Sequence, residues 1–449
     1  TVRVKTFDFY QQLKPRPIIP DSPVVIIDLD EESLKEVGQW PWPRNLLAQL
    51  VLNLFKMGVS VVGFDVIFAE PDRMNSKSVV KSLQKAVVAA KALGAKIEFD
   101  KETKDKILQI PSNDLVFDSY IQQLRKVVAG QATLPFARKY KDRKPLRTRV
   151  FEKRFKGAPK PQEWVPAVPG LLRNIVPIEK AAGGHGLLAL QPEVDGIVRR
   201  IPAFFRHSKR LYPTLSLEVM RLAIGRSGVV AKGDQSGISD VTIAPRRRYL
   251  IPRTILQDDQ IKKFPYNPNF NRLKFAEIEV GETDTLLIKR TSLGGKKHPH
   301  QKFKAGYEKA KFAVLSTPAI RVETDRRGRI WPYFSKSDKA KYVSAKDVLS
   351  GAVDPKMIQG KLALLGTSAT GLLDIKTVPT ERFIPGVEVH AQLIESVLTN
   401  QFLKRPNFAD AIEMTIALVA GLIIIVLVPW LGARWTLLFF VLVSIGAGA

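Results

Sequence analysis

The sequence predicts an α/β fold: a mixed or mostly parallel sheet flanked by helices, with an inserted hairpin, followed by transmembrane helices. Three observations predict it. The β-branched runs VVIIDLD at 24–30 and VSVVGFDVIF at 59–68 enclose a segment of helical period. Two buried strands joined by a helix make a right-handed parallel crossover. A third run, KLALL at 361–365, leads into a Gly-rich loop. From Met414 to Ala433 there is no charged residue, and roughly 20 apolar residues suffice to cross a hydrocarbon core as a helix.

The elements follow in chain order. Residues 1–17, with an amphipathic stretch from Thr6 to Leu13, read as the exit from an N-terminal anchor that precedes Thr1. The first strand, 24–30, ends in acids, and Glu31–Leu34 make a helical turn that stops near Gly38. Pro43 suits a helix start, where its missing N–H costs nothing. Leu46, Leu47, Leu50, Val51 and Leu54 then mark one apolar face, and Gly58 ends the helix. After the second strand come a helix at 78–93, a polar loop at 96–106, a helix at 114–126 and a strand from 126. Basic, Pro-containing residues 138–165 read as a surface excursion. Residues 186–205 read as a hairpin turning at Asp195-Gly196, and a helix follows from Pro213 to Ile224. A Lys-rich insertion spans 252–318. Ser344-x-x-Asp347 has the form of a capping box, with Gly351 closing its short helix. Pro385-Gly386 opens a helix with Val389, Leu393, Ile394 and Val397 on one side. Residues 407–431 form a first membrane span, and 435–449 begin a second. The folded body is then 18–406. Gly421 would permit close approach between spans.

A formal net charge of +27 leaves three readings: nucleic acid, an anionic membrane or polysaccharide, or solvated basic loops. The basic residues fall in loops such as Lys141–Arg149 and Lys153–Lys156. No aromatic RNP pattern, zinc finger or basic zipper accompanies them, so nucleic acid is not an expected partner. The absence of cysteine excludes disulfides, thiolate metal sites and a cysteine nucleophile. Arg434, between the two apolar runs, favours a cytoplasmic turn. Long domains cross largely regardless of charge, so 18–406 can lie outside the membrane despite their basicity.

Candidate chemistry gathers at strand ends. The first strand ends at Asp28 and Asp30. The second brings Asp65, Glu70 and Asp72, and the third brings Thr367 and Ser368, with Asp374 beyond. Ligands of open α/β sheets bind outside the carboxyl ends of strands, and oxygen-only clusters suit Mg²⁺ or Ca²⁺. The alternative is that these acids cap helices and pair with Arg44. Gly366 and Gly371 have P-loop separation, but Leu372-Leu373 replace the Lys-Ser/Thr that must follow. Trp40 and Trp42, set between prolines, are a candidate aromatic contact with a ligand, membrane or partner, or a seal on the sheet. His185, His207, His298, His300 and His390 form no ligand set, and no GxSxG, HExxH or DFG string occurs.

Seven segments together resemble a known family, the CHASE type 2 sensory domain. They are VVIIDLDEESLKEVGQWPWPR (24–44), GVSVVGFDVIFAEPD (58–72), HGLLALQPEVDGIVRRIPAFF (185–205), YPTLSLEVMRLA (212–223), YVSAKDVLSG (342–351), KLALLGTSATGLLDIKTVP (361–379) and PGVEVHAQLIESVLTNQFLKRP (385–406). The stretches near 138–165 and 252–318 are longer than that family's pattern. The resemblance implies an extracytoplasmic input module, anchored by a helix before it and usually three after. A cytoplasmic effector follows: most often a class III adenylate or guanylate cyclase, sometimes a histidine or Ser/Thr kinase. Such cyclases work as pairs, so a homodimer is expected, with the lipid bilayer and an extracytoplasmic ligand or protein as further partners. No catalytic residue and no cofactor is expected in this stretch, and divalent metal only in a downstream cyclase. Two rivals stay open: an envelope metal-dependent enzyme using Asp28, Asp30, Asp65 and Asp72, and a module that docks on anionic polymers or lipid.

Overall fold

The inner strands VVIID, VVGF and LALLG of the central sheet are short, continuous and almost wholly apolar because they are covered on both faces. Successive strand side chains point to opposite sides, so a run with no polar alternation needs a layer of helices above and below. The computed structural model describes residues 2–138, 140, 143–224, 228–243, 248–252, 275–280, 284–289, 312–316, 320–369, 374–403, 412 and 414–426.

The chain opens with α1 (Val2–Leu13), β1 (Val24–Asp28), α2 (Glu31–Val37), α3 (Arg44–Lys56) and β2 (Val61–Phe64). Next come α4 (Ser76–Ala92), α5 (Lys101–Gln109), α6 (Asn113–Leu124), β3 (Val127–Leu134), β4 (Val150–Arg154), β5 (Gly170–Leu172), α7 (Val176–Ala181) and β6 (Gly184–Leu187). The middle holds β7 (Ile201–Pro202), β8 (Phe204–His207), β9 (Arg210–Pro213), α8 (Leu215–Ile224), β10 (Val229–Asp234) and β11 (Gly237–Ile243). Four further strands, β12 (Arg248–Pro252), β13 (Phe275–Val280), β14 (Asp284–Lys289) and β15 (Phe312–Ser316), pair as one antiparallel sheet. The chain returns through β16 (Ile320–Val322), β17 (Arg329–Ile330), β18 (Tyr342–Ser344), α9 (Ala345–Ser350) and β19 (Leu362–Gly366) to α10 (Gly386–Leu398).

The central sheet runs β18-β1-β19-β2-β3-β5, with β6 also on β3. Every pairing is parallel except β3 with β5. Val25, Ile27, Val62, Phe64 and Leu365 share one core with Leu47, Leu50 and Leu54 of α3 and Phe117 and Ile121 of α6. Val24, Ile26, Val61 and Leu364 belong to the opposite core, with Leu215 and Val219 of α8 and Leu393 and Ile394 of α10. Each such side chain stabilises the fold by roughly 1.5–3 kcal/mol of burial. A second sheet, β16-β11-β10-β4, extends the α8 side.

Three local expectations change. The Asp195-Gly196 turn forms, with Gly196 at φ +81° and the Glu193 N–H donating to the Ile197 carbonyl at 3.0 Å, but the strands on either side do not pair with each other. Instead β6 adds to β3, β7 pairs β17, and the hairpin is β8–β9. A turn signal closes a turn; the exposed edge of β3 chose the partner. The expected loop at 96–106 contains the start of α5, where Asp100 accepts from the Thr103 N–H at 2.7 Å. That helix has no buried residue, so it shows no apolar stripe to read. Ser344 precedes α9 without capping it. Its hydroxyl donates to Asp30 at 3.0 Å instead.

Residues 414–426 are helical, and their apolar side chains are largely bare, with Met414 74% and Ile425 68% exposed. Among the described residues no helix is long and apolar enough to cross a membrane. The expected second span at 435–449, the ends of the first, and most of the 252–318 insertion lie outside the described residues.

Candidate functional site

The strand-end residues gather into three groups. In the first, parallel pairing sets Asp28 opposite Gly366, so the loop after β19 folds over the end of β1. Asp28 accepts from the Ser368 N–H at 2.8 Å and from its hydroxyl at 2.6 Å. Thr367 donates to the Leu29 carbonyl at 3.0 Å. Burial raises the Asp28 pKa and the Asp30 charge adds to that, against the Ser368 hydrogen bonds. Asp30 caps α2 through the Ser33 N–H at 2.8 Å. A Cβ on Gly366 would lie 2.5 Å from Val387, so glycine permits the strand end to approach α10.

The second group is Asp65 and Asp374. Asp65 is partly buried at the end of β2. Its carboxyl is pushed well above the usual range by burial and then by the Asp374 charge, while Lys376 works the other way. Lys376 pairs with Asp374. Buried His390 on α10 lies within reach of this pair's field, and burial lowers its pKa to about 4.

The third group is Arg44, Asp72 and Asp114. Asp72 accepts from the Arg44 N–H at 2.6 Å, capping α3 from the segment that follows β2. The guanidinium lies 4.5 Å over the Phe68 ring and 3.7 Å from Asp114. Burial lowers the Arg44 pKa against the opposing charges of Asp114 and Asp72. Trp42 is buried in the same core, its indole donating to the Gly38 carbonyl at 2.7 Å, with Trp40 packed at 6.0 Å. Glu70 is exposed. Among the described residues no side-chain hydrogen bond or ion pair links the three groups.

A fourth cluster was not singled out from the sequence. Asp8 of α1 accepts from Arg199 in a bidentate pair at 2.6 Å on each oxygen. Phe7 meets Trp331 edge-on at 5.1 Å. Arg16 donates through Nε to the Tyr333 carbonyl at 2.9 Å, and its N–H donates to the Phe334 carbonyl at 3.0 Å. Glu395 of α10 takes Arg16 at 2.5 Å, Lys341 at 3.1 Å and Ser22 at 2.6 Å. The chain leaving α10 returns to the same segment: the Leu403 N–H donates to the Trp331 carbonyl at 2.9 Å. Residues 331–335 are thus held by α1 and its exit and by the exit of α10. The only sequence hint was the amphipathic stretch at Thr6–Leu13.

A family model described as the CHASE2 domain matches residues 1–429. The chain belongs to the CHASE2 domain family. No curated protein and no solved structure matches it. CHASE2 domains are extracytoplasmic sensory domains. The strand-end acids of this CHASE2 domain chiefly satisfy backbone N–H groups and a buried arginine. Among the described residues no group of three or more His, Asp or Glu is placed to hold a metal ion, so the metalloenzyme alternative lacks an assembled ligand set there. The clamp on 331–335 ties the two ends of the folded body to one internal segment.

Proposed function

We propose that this CHASE2 domain is the extracytoplasmic input module of a bacterial transmembrane receptor. In this reading residues 407–431 and 435–449 enter the inner membrane and lead to a cytoplasmic effector. A class III adenylate or guanylate cyclase making a cyclic nucleotide is the favoured output, with a histidine or Ser/Thr kinase as the alternative. The receptor acts as a homodimer, because such cyclase sites form between two catalytic domains.

The carrying observation is the shared clamp. Phe7 and Arg16 tie the entering chain to this segment, and Trp331 holds the leaving chain at Leu403. A shift of residues 331–335 relative to the sheet would therefore be felt by both ends. Signalling requires that the ligand bind one arrangement more tightly than the other. The bare apolar helix at 414–426 supports the membrane placement.

The test is topology. A periplasm-active phosphatase fused in the body after Lys156 should be active, and a fluorescent protein that matures only in the cytosol should be dark there. The opposite pattern would sink the proposal.

A further inference from the structure

A second site lies beyond the C-terminal end of β3, in the basic stretch that follows it. A cavity of about 410 Å³ is lined by Arg138, Tyr140, Arg143, Arg173, Lys209 and Arg210. Its size is that of a small-molecule pocket. Leu146, Leu171 and Tyr212 contribute further lining.

Two of the cationic groups, Arg143 and Arg173, are built in. The Arg173 N–H donates to the Tyr140 hydroxyl at 2.9 Å, and that hydroxyl donates to the Leu171 carbonyl at 3.1 Å. The ring so fixed has three guanidinium groups around it: Arg143 at 4.9 Å, Arg138 at 5.3 Å and Arg173 at 5.4 Å. Arg173 is nearly buried, with 8% of its side chain exposed, and shares Glu179 with Arg143. Arg143 also donates to the Asn174 carbonyl at 2.7 Å. One carboxylate therefore serves two arginines, while Arg138, Lys209 and Arg210 make no ion pair among the described residues. No carboxylate is among the described lining residues. The Arg143 Nε is buried with no hydrogen-bond partner there.

We infer that this cavity is the binding site for a small multiply charged anion, a phosphate or phosphate monoester. Guanidinium groups match phosphate oxygens in pairs, and Arg143 and Arg173, already held by Glu179, lose little freedom on binding. The nearly buried Arg173 argues for a compact ligand over a polymer or membrane, which would meet Lys209 and Arg210 at the rim and stop there. The inference deepens the sensory reading by naming a ligand class, and it rests on that reading only for its biological sense.

The experiment titrates the full chain in detergent with inorganic phosphate and with glycerol 3-phosphate by calorimetry. Saturable binding is expected, with affinity reduced roughly tenfold or more in Arg138→Gln/Arg210→Gln. Lys101→Gln/Lys104→Gln on α5 should keep wild-type affinity. Equal unliganded thermal midpoints show that the variants are folded, since Arg138 and Arg210 are exposed. Absence of binding at millimolar phosphate overturns the assignment. So does equal loss in the α5 variant, unchanged affinity in the pocket variant, or binding of dextran sulfate or anionic vesicles without binding of the small anions. The reporter fusions are indifferent to all of these outcomes, so failure of the pocket and failure of the topology are told apart.

Discussion

Arg16 and Glu395 form a buried ion pair between the residues that follow α1 and the inward face of α10. Lys341 and Ser22 complete the shell around the carboxylate. Burial works to raise the Glu395 pKa, but the charges of Lys341 and Arg16, with their hydrogen bonds, outweigh it and hold the carboxyl below its ordinary range. The pair closes the body of this CHASE2 domain at the point where both chain ends leave it.

Glu395→Gln would keep the shape and remove the charge. Two buried cations would then face a neutral amide, and breaking a buried pair costs about 3–5 kcal/mol. Urea unfolding of the variant should show a loss of that order. A loss under about 1 kcal/mol would mean that water already reaches the site.

Arg199→Gln would leave Asp8 buried without its bidentate partner. Amides of α1 should exchange much faster, while those of β1 and β19 keep their protection, because α1 can open locally without unfolding the sheet. Hydrogen exchange read segment by segment checks this. Uniform loosening of the whole body would contradict the clamp.

Acid should destabilise the domain in two separate windows. His390 has its folded pKa lowered from 6.5 to about 4 by burial. Its Nε2 faces the Leu188 carbonyl at 3.3 Å, so that nitrogen carries the proton, and Nδ1 accepts from Ser216 at 2.8 Å. Between those two pH values the unfolded chain binds the extra proton, so stability rises with pH and is lost on acidification, by up to about 3 kcal/mol. Glu395 contributes stability that is present above the ordinary carboxylate pKa and lost only as pH falls through its lowered value. His390→Gln should weaken the upper window, to which buried His185, its pKa also lowered to about 4, contributes alike, and leave the lower one. Thermal midpoints measured across pH decide it.

Trp42→Ala should cost about 3–5 kcal/mol, the usual figure for emptying a buried aromatic site. Trp40→Ala should cost less, since Trp40 is only partly buried. Equal and small losses would revive the reading of this string as a surface contact.

Much of this fold was legible locally. VVIID, VVGF and LALLG read as buried strands and form them, and α3 begins at Arg44 directly after Pro43. The candidate residues were harder. Asp28, Thr367 and Ser368 do converge, and Asp72 does meet Arg44, but Asp114, the third member of that group, gave no signal beyond its place early in α6. Ser344 carried a capping pattern and spent its hydroxyl on Asp30.

What the sequence determined alone is the order of buried strands and amphipathic helices, because apolar period and helix-end chemistry act within a few residues. What the tertiary structure decided is which polar groups meet. Arg16 and Glu395 stand 379 positions apart, and Tyr140 meets Arg173, 33 positions on, beside the pairing of β3 with β5. Such pairs depend on sheet order and strand register, which no local period encodes.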